Sequence, residues 1–439
     1  MIPYYLSSKV VSYNLNENRV LLYNSKIGDA FVFERKDVNE KKINNIKDKF
    51  LKKELLNGGI IVSNESDLNK LVSEFKKKQE SYLKDKVPDI GFFVTNECNL
   101  QCSYCIVNKM LGKTNFDMDI NTAIESIDYF FAEYRRVNKH YINISFTGGE
   151  PLLKFKFIKD VVDYIDSKYS KNFEIKFAMN SNLTYLNEEI ADFLKKFRFT
   201  IAVSLDGTKF ENNKIRKFKD NSGTFNQIVG NIKFLREKGV DLNTLSLTLT
   251  KENINMNVGS FMNLTKKLGF KRLRVEPDMT KIIEPRLDVL ANKIMKFEKI
   301  AKLFDIELIG YWKKPYYNLF LKRKNLGMAF CSPYNGEVVS IQPSGNIALC
   351  IYDHVYIDNI DNLINNKKAW NWGNYLRKVE DFWIDNLKSC DGCEIEGLCL
   401  GGCHVSKSNL NDEESEFMCD FYRTMTKKLI TFHSKEIEK

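Results

Sequence analysis

Ten cysteines carry the most distinctive chemistry in this sequence, and they fall in two groups. The first is Cys98-Asn99-Leu100-Gln101-Cys102-Ser103-Tyr104-Cys105. Three thiolates on one loop at C-x3-C-x2-C spacing can hold three corners of a four-iron cube, leaving the fourth iron open to a cofactor or substrate. A structural zinc wants a fourth ligand nearby, and no Cys or His follows before His140. The second group is Cys331, Cys350, Cys390, Cys393, Cys399, Cys403 and Cys419. Spacing alone does not choose between iron and zinc, so a zinc loop and a pair of zinc ribbons are the competing readings. Disulfides are not expected: Met1–Val11 shows no export signal, and clustered cysteines in an unexported chain read as metal sites.

The first group resembles the C-x3-C-x-aromatic-C signature of the radical S-adenosylmethionine (SAM) superfamily, with Tyr104 as the aromatic residue. More of that pattern follows in order. Thr147-Gly148-Gly149-Glu150-Pro151 is similar to the family's GGE element, whose backbone and glutamate receive the amino group of the cofactor's methionine. Glycines permit close backbone approach, and a carboxylate pairs with an ammonium. Ser181-Asn182-Leu183-Thr184 stands where relatives carry Thr-Asn-Gly, with Leu183 replacing the glycine. Ser204-Leu205-Asp206-Gly207 resembles the element whose serine touches the ribose, and Arg216 stands where similar enzymes place an arginine facing the cofactor carboxylate. The resemblance implies cofactor contacts from Tyr104, Gly148, Gly149, Glu150, Ser181, Asn182, Ser204 and Arg216. It also implies a 4Fe-4S cluster on Cys98, Cys102 and Cys105, capped by S-adenosyl-L-methionine. A reduced cluster would split that cofactor into methionine and a 5′-deoxyadenosyl radical able to abstract hydrogen from an unactivated carbon.

The second group resembles the SPASM extension of the same family. In relatives its ligands interleave, which implies one auxiliary cluster on Cys390, Cys393, Cys399 and Cys419 and another on Cys331, Cys350 and Cys403. The latter is one thiolate short, with His404 beside it, and its open position could meet water, another side chain or the substrate. Three iron–sulfur clusters, all 4Fe-4S, are therefore expected. SPASM relatives mostly modify peptides and proteins, so the implied partners are a precursor peptide with a leader and an electron donor such as flavodoxin or ferredoxin. Sulfatase-maturing relatives place an aspartate base directly after the second SPASM cysteine; here that residue is Ile351, and Asp353 is the nearby candidate.

These loops need a scaffold. Alternating apolar runs predict strands at Ile90–Val94, Ile142–Phe146, Phe173–Met179, Phe199–Leu205, Thr244–Leu249 and Leu273–Val275. Helical spacing lies between them, as at Ile120–Tyr134, Phe157–Ile165, Glu188–Phe197, Phe225–Leu235 and Val258–Leu268. Six strand–helix alternations imply a parallel sheet, and the fold class is α/β: a partial (β/α)6 radical SAM barrel over residues 87–310, its site at the carboxyl ends of the strands. Residues 1–86 show short strands at Val10–Tyr13, Val20–Tyr23 and Ala30–Phe33, helical spacing near Val38–Leu55 and at Ser66–Lys84, and a lysine-rich stretch from Lys76 to Lys86 that reads as a linker. Helices with a small sheet are compatible with a winged-helix-like module, and the resemblance to peptide maturases implies that it recognises a leader peptide by strand addition. Residues 311–439 form the SPASM domain; their modest apolar content predicts that metal sites supply much of its folding energy.

The net charge of +10 comes from lysines scattered along helices and reads as a solvated surface, so nucleic acid is not an expected partner. No apolar run is long enough to span a bilayer, and a cytoplasmic location is expected. The sequence thus predicts an enzyme that modifies a ribosomally made precursor peptide by hydrogen abstraction, forming a thioether or other cross-link. A sulfatase-maturing-type oxidase making formylglycine is the alternative enzyme, and a zinc-stabilised nucleic-acid-binding protein the alternative outside enzymes.

Overall fold

The computed structural model describes residues 4–437 apart from 40–42, 44, 45, 47, 85, 111–115, 280, 283, 284, 322–326, 353, 354 and 409. Asp353 therefore lies outside the described residues.

The N-terminal region pairs β1 (Tyr5–Leu6) with β5 (Ile61–Val62) and folds β2 (Val10–Asn14), β3 (Arg19–Asn24) and β4 (Ala30–Glu34) into an antiparallel meander. The helix expected over Val38–Leu55 starts only at Lys49, because Asp48 caps it by accepting from the Phe50 and Leu51 amides, while Val38 and Ile43 pair as an antiparallel bridge. The lysine-rich stretch is not a linker. Lys76–Lys78 continue the helix Glu65–Lys84, and Lys76 bridges to Asp385 at 3.2 Å.

Seven parallel strands follow: β6 (Asp89–Thr95), β7 (Tyr141–Gly148), β8 (Glu174–Ser181), β9 (Thr200–Ser204), β10 (Leu242–Leu249), β11 (Arg272–Pro277) and β12 (Glu307–Ile309). Each pairs in parallel with the next in sequence, as successive β–helix–β crossovers dictate. β12 is a seventh strand beyond the six expected; three residues are too short to show a periodicity. Past β6 the sheet continues with β13 (Val338–Ile341), parallel to β6, then β14 (Asn346–Ala348) and β15 (Tyr356–Asn359), both antiparallel. The C-terminal third is thus joined to the barrel by main-chain hydrogen bonds.

The sheet's two faces differ. Ile144, Phe146, Ile201, Val203, Leu245, Leu247, Leu273 and Val275 are fully buried under the crossover helices. Alternate residues, among them Ser145, Ala178, Ala202, Ser204, Ser246 and Thr248, are small or polar and only half-buried. The concave face is therefore a lumen that the strands' own side chains do not fill, unlike the packed interior of a closed barrel.

The C-terminal third has more apolar core than its composition suggests. Trp372, Tyr375, Trp383, Phe421, Tyr422 and Leu429 are buried, and the helix Asp412–Phe432 packs on the helix Leu287–Phe304. The two are pinned where Glu298 meets Lys313 at 2.6 Å and His433 at 3.1 Å. The N-terminal meander docks on the Cys390–Cys399 loop: Tyr23 Oη donates to the Glu394 carbonyl at 2.6 Å, and Lys26 Nζ meets the buried Glu396 at 2.5 Å. Among the described residues no helix is long and apolar enough to cross a membrane.

Candidate active site

The Cys98–Cys105 loop leaves the carboxyl end of β6, and two backbone ties hold it: the Leu100–Phe218 bridge and the Gln101 amide donating to the Lys217 carbonyl at 2.9 Å. Beside it, Gly148 and Gly149 press the end of β7 against the β6 loop. A Cβ on either would lie 2.1 Å from a carbonyl oxygen, that of Thr95 or Glu97, and Gly148 has φ +147°. The Gly149 amide donates to Thr95 O and the Glu150 amide to Glu97 O, so only glycine fits this junction.

Glu150 is 1% exposed. Its carboxylate accepts from the Asn182 amide at 2.6 Å, Ser181 Oγ at 2.8 Å and the Leu152 amide at 3.1 Å. Burial outweighs these donors and pushes its pKa up to about 7. A buried carboxylate with no cation hydrogen-bonded to it among the described residues fits the ammonium group of a methionine. Asn182 Nδ2 reaches Asn99 Oδ1 at 3.1 Å and Cys98 Sγ at 3.7 Å, so the turn after β8 also touches the cysteine loop. Leu183 keeps the left-handed conformation that glycine would favour, at φ +55°. Its amide donates to Ser181 Oγ at 2.9 Å and its carbonyl accepts from Asn231 at 2.8 Å, which offsets a cost of about 1 kcal/mol. Lowering the pH below about 7 protonates Glu150 and removes the charge that attracts an ammonium. S-adenosylmethionine affinity, measured by calorimetry on reconstituted protein, is expected to rise toward pH 7 and level off above it. Glu150→Gln should weaken it roughly 10- to 100-fold and flatten that pH dependence.

Arg216 reaches the cysteine loop, held by a residue that the sequence reading passed over. Its Nε donates to Asp206 Oδ2 at 2.7 Å, Nη2 to Tyr104 Oη, and Nη1 to Cys102 Sγ at 3.7 Å. Tyr104 Oη donates to the same Asp206 oxygen at 2.7 Å, and the Thr248 amide to the other at 2.8 Å. Burial alone would pull the guanidinium down, but Asp206, Tyr104 and Cys102 hold its pKa well above the usual arginine value. Ser204, two residues before Asp206, faces the lumen opposite Ser246. The signal that could have found Asp206 was its place as the first charged residue after β9.

None of the ten cysteines is in a disulfide. Burial pushes Cys98 up to about 11 and Cys102 and Cys331 to about 12, so their binding a metal as thiolates would need the metal's own charge to displace the protons. Thiol proximity divides the second group in two. Cys331 feels Cys403 and Cys350, whereas Cys399 feels Cys419, Cys390 and Cys393. These last four line one cavity with Lys407, Tyr422 and Arg423. Among the described residues no three Cys, His, Asp or Glu groups converge on a single ion. His404 packs against Phe382, ring centroids 3.8 Å apart and tilted by 50°, and lies edge-on to Tyr334.

Tyr352 joins the halves of the site: it lies beside Thr147 at the end of β7 and close to both Cys350 and Cys105. Across the lumen, Glu276 at the end of β11 accepts from the Tyr311 amide, while Tyr311 itself lies near Cys331 and Cys403. Neither Tyr352 nor Glu276 belongs to a sequence motif.

Residues 92–258 match the family description of the Radical SAM superfamily. The chain is 24% identical to the radical SAM cyclopropyl synthase TigE of Paramaledivibacter caminithermalis, over 96% of this chain and 88% of TigE. It is 29% identical to a cysteine-type anaerobic sulfatase-maturating enzyme of Clostridium novyi, over 77% of this chain and 93% of that one. SuiB of Streptococcus suis, solved with S-adenosylmethionine, aligns with a TM-score of 0.57 at 15% identity, over 93% of this chain and 97% of SuiB. SuiB has also been solved with its precursor peptide SuiA. A cysteine loop at the end of β6, the glycine junction and buried Glu150 beside it, and a family match spanning both identify residues 92–258 as a Radical SAM domain.

Proposed function

We propose that this enzyme modifies a ribosomally made precursor peptide, removing hydrogen from an unactivated carbon to form a thioether or other cross-link. The observation that carries this reading is the half-buried, polar-lined concave face of the sheet, with the first cysteine group at its β6–β9 end and the second group reaching it where Tyr352 lies close to both Cys105 and Cys350. Such a space suits an extended peptide better than a small flat substrate. S-adenosylmethionine on a four-iron cluster supplies the hydrogen-abstracting power when bound. Cys98, Cys102 and Cys105 would hold that cluster; Gly148, Gly149, Glu150, Ser181 and Asn182 would hold the methionine end, and Ser204 the ribose. Arg216 and Asp206 would fix Tyr104 and the loop, while the β7 and β8 turns exclude water from the buried end.

Cys390, Cys393, Cys399 and Cys419 suit one auxiliary cluster, and Cys331, Cys350 and Cys403 another with one position open. A substrate cysteine is the soft donor that matches an open iron, which favours a thioether. The whole-length similarity to TigE favours a second reading, carbon–carbon ring closure. Formylglycine formation is less well supported, since Ile351 occupies the position of the expected aspartate. The meander β2–β4, with two strand edges, suits a leader peptide by strand addition. A ferredoxin- or flavodoxin-like donor and a cytoplasmic setting complete the reading.

The test is anaerobic turnover of candidate precursor peptides taken from short open reading frames that neighbour this gene. The expected product is lighter by two hydrogens, and removing the leader should raise the peptide concentration needed by about tenfold or more while cofactor cleavage persists. A product with one fewer alkylatable thiol indicates the thioether; one with every thiol free indicates carbon–carbon closure. An unchanged peptide mass in the presence of active cofactor cleavage refutes the proposal.

A further inference from the structure

Cross-linking or ring closure removes two hydrogens from a peptide, and only one leaves as an atom. The other must leave as a proton, and a base has to face the reacting peptide. Among the described lumen-facing positions in the upper half of β6–β11, the charged residues are Arg274 and Glu276, both on β11. Glu276 stands at the carboxyl end of its strand, where barrel chemistry is done. Its register partner is Thr248, whose amide binds Asp206, so β10 separates it from the residues around Arg216. The Tyr311 amide donates to both of its oxygens, at 2.9 and 3.1 Å. That amide is itself fixed. Trp312 Nε1 donates to the Val275 carbonyl at 2.7 Å, and a Cβ on Gly310 would lie 2.6 Å from the same oxygen. The carboxylate is therefore aimed by a rigid corner, half-buried, on the side of the lumen nearer Cys331 and Cys403.

We propose that Glu276 is the proton acceptor of the peptide-modifying reaction, a role that rests on the maturase reading above. In that step one substrate hydrogen passes as an atom to the 5′-deoxyadenosyl carbon of the cofactor. The second passes as a proton to a Glu276 oxygen, turning carboxylate into carboxylic acid. The electron left behind is taken up by an auxiliary iron–sulfur cluster, and the new bond forms between the two peptide atoms that lost hydrogen. The groups facing Glu276 suit the task. Burial pushes it up to about 8, opposed by the Tyr311 amide and by Arg274 on its own strand; the neutral phenols of Tyr311 and Tyr422 face it from the other elements. A base with a pKa near the working pH is the efficient kind.

Two measurements on the full-length, anaerobically prepared enzyme test this. The first is an infrared pH titration without peptide. A protonated-carboxyl band that fades as the pH rises through about 8, and is missing in Glu276→Gln, is expected; its absence from the wild type overturns the assignment. The second follows product and 5′-deoxyadenosine together, with the precursor peptide that the turnover test above identifies as substrate. Wild-type product formation should rise with pH through about 8. Glu276→Gln, which keeps an acceptor for the Tyr311 amide, should lose product roughly 100-fold or more while cofactor cleavage runs on uncoupled from it. Glu276→Asp should recover part of the product. If Glu276→Gln makes product at the wild-type rate, the role is overturned and the maturase reading stands. If the wild type leaves the peptide unmodified, the maturase reading falls and the role falls with it.

Discussion

Replacing Cys98, Cys102 and Cys105 together with alanine is expected to abolish 5′-deoxyadenosine formation and to lower bound iron from about twelve atoms per chain to about eight. The loss should be complete because the three thiols come from one loop and nothing adjacent can substitute: Asn99, Gln101, Ser103 and Tyr104 are the only other side chains on it with polar atoms. The fold should survive. The loop is held by its backbone, through the Leu100–Phe218 bridge and the Gln101 amide, and not by its sulfurs alone. The remaining seven cysteines lie on later segments, from Cys331 to Cys419, and should keep their clusters, visible as the residual iron and its absorbance. A triple variant that cleaves the cofactor at the wild-type rate would remove the assignment. Stoichiometric zinc with little iron in the anaerobically reconstituted wild type would remove the iron reading altogether.

What the sequence made legible was local. Where cysteines lie within a few residues of one another, as in Cys98–Cys105 and Cys390–Cys403, they announce themselves, as does Gly148-Gly149-Glu150 at a strand end. The strands β6 to β11 were legible because each is a buried apolar run between amphipathic helices. The misreadings come from contacts between distant segments. β12 and β13 are three and four residues long, and they are strands only because β11 and β6 offer them edges. Lys76–Lys78 read as a linker because their partners, Asp385 and Trp383, lie some three hundred residues away along the chain. The helix expected from Val38 begins at Lys49 because a single side chain, Asp48, supplies its cap. The core of the C-terminal third was underestimated for a related reason: its tryptophans pack against the barrel and the N-terminal helix. Glu276, in Arg274-Val275-Glu276-Pro277, looks like an ordinary strand end until the Gly310–Trp312 corner closes over it.

Asp206 shows how much energy such a non-local contact can hold. It is fully buried, with a guanidinium, a phenol and a backbone amide on its two oxygens. Removing one partner of a buried ion pair strands the other charge in a medium that cannot solvate it, at a cost of about 3–5 kcal/mol. Asp206→Ala is therefore expected to lower the unfolding free energy by that amount, read from denaturant unfolding of the purified protein. It should also release Tyr104 and Arg216 from the cysteine loop, so S-adenosylmethionine binding should weaken in step. Arg216→Ala should cost about as much, since it leaves the carboxylate unpaired. The decisive variant is the double. With both charges gone neither is stranded, so the pair of substitutions should cost less than the sum of the singles by roughly 1–3 kcal/mol. Additivity within about 0.5 kcal/mol would mean that the two residues act separately and that Arg216 is held by something other than Asp206. Arg216→Lys separates charge from geometry: an ammonium can face Asp206 but cannot span Asp206, Tyr104 and Cys102 together. Its stability should lie nearer the wild type, while its cofactor cleavage should lie nearer Arg216→Ala.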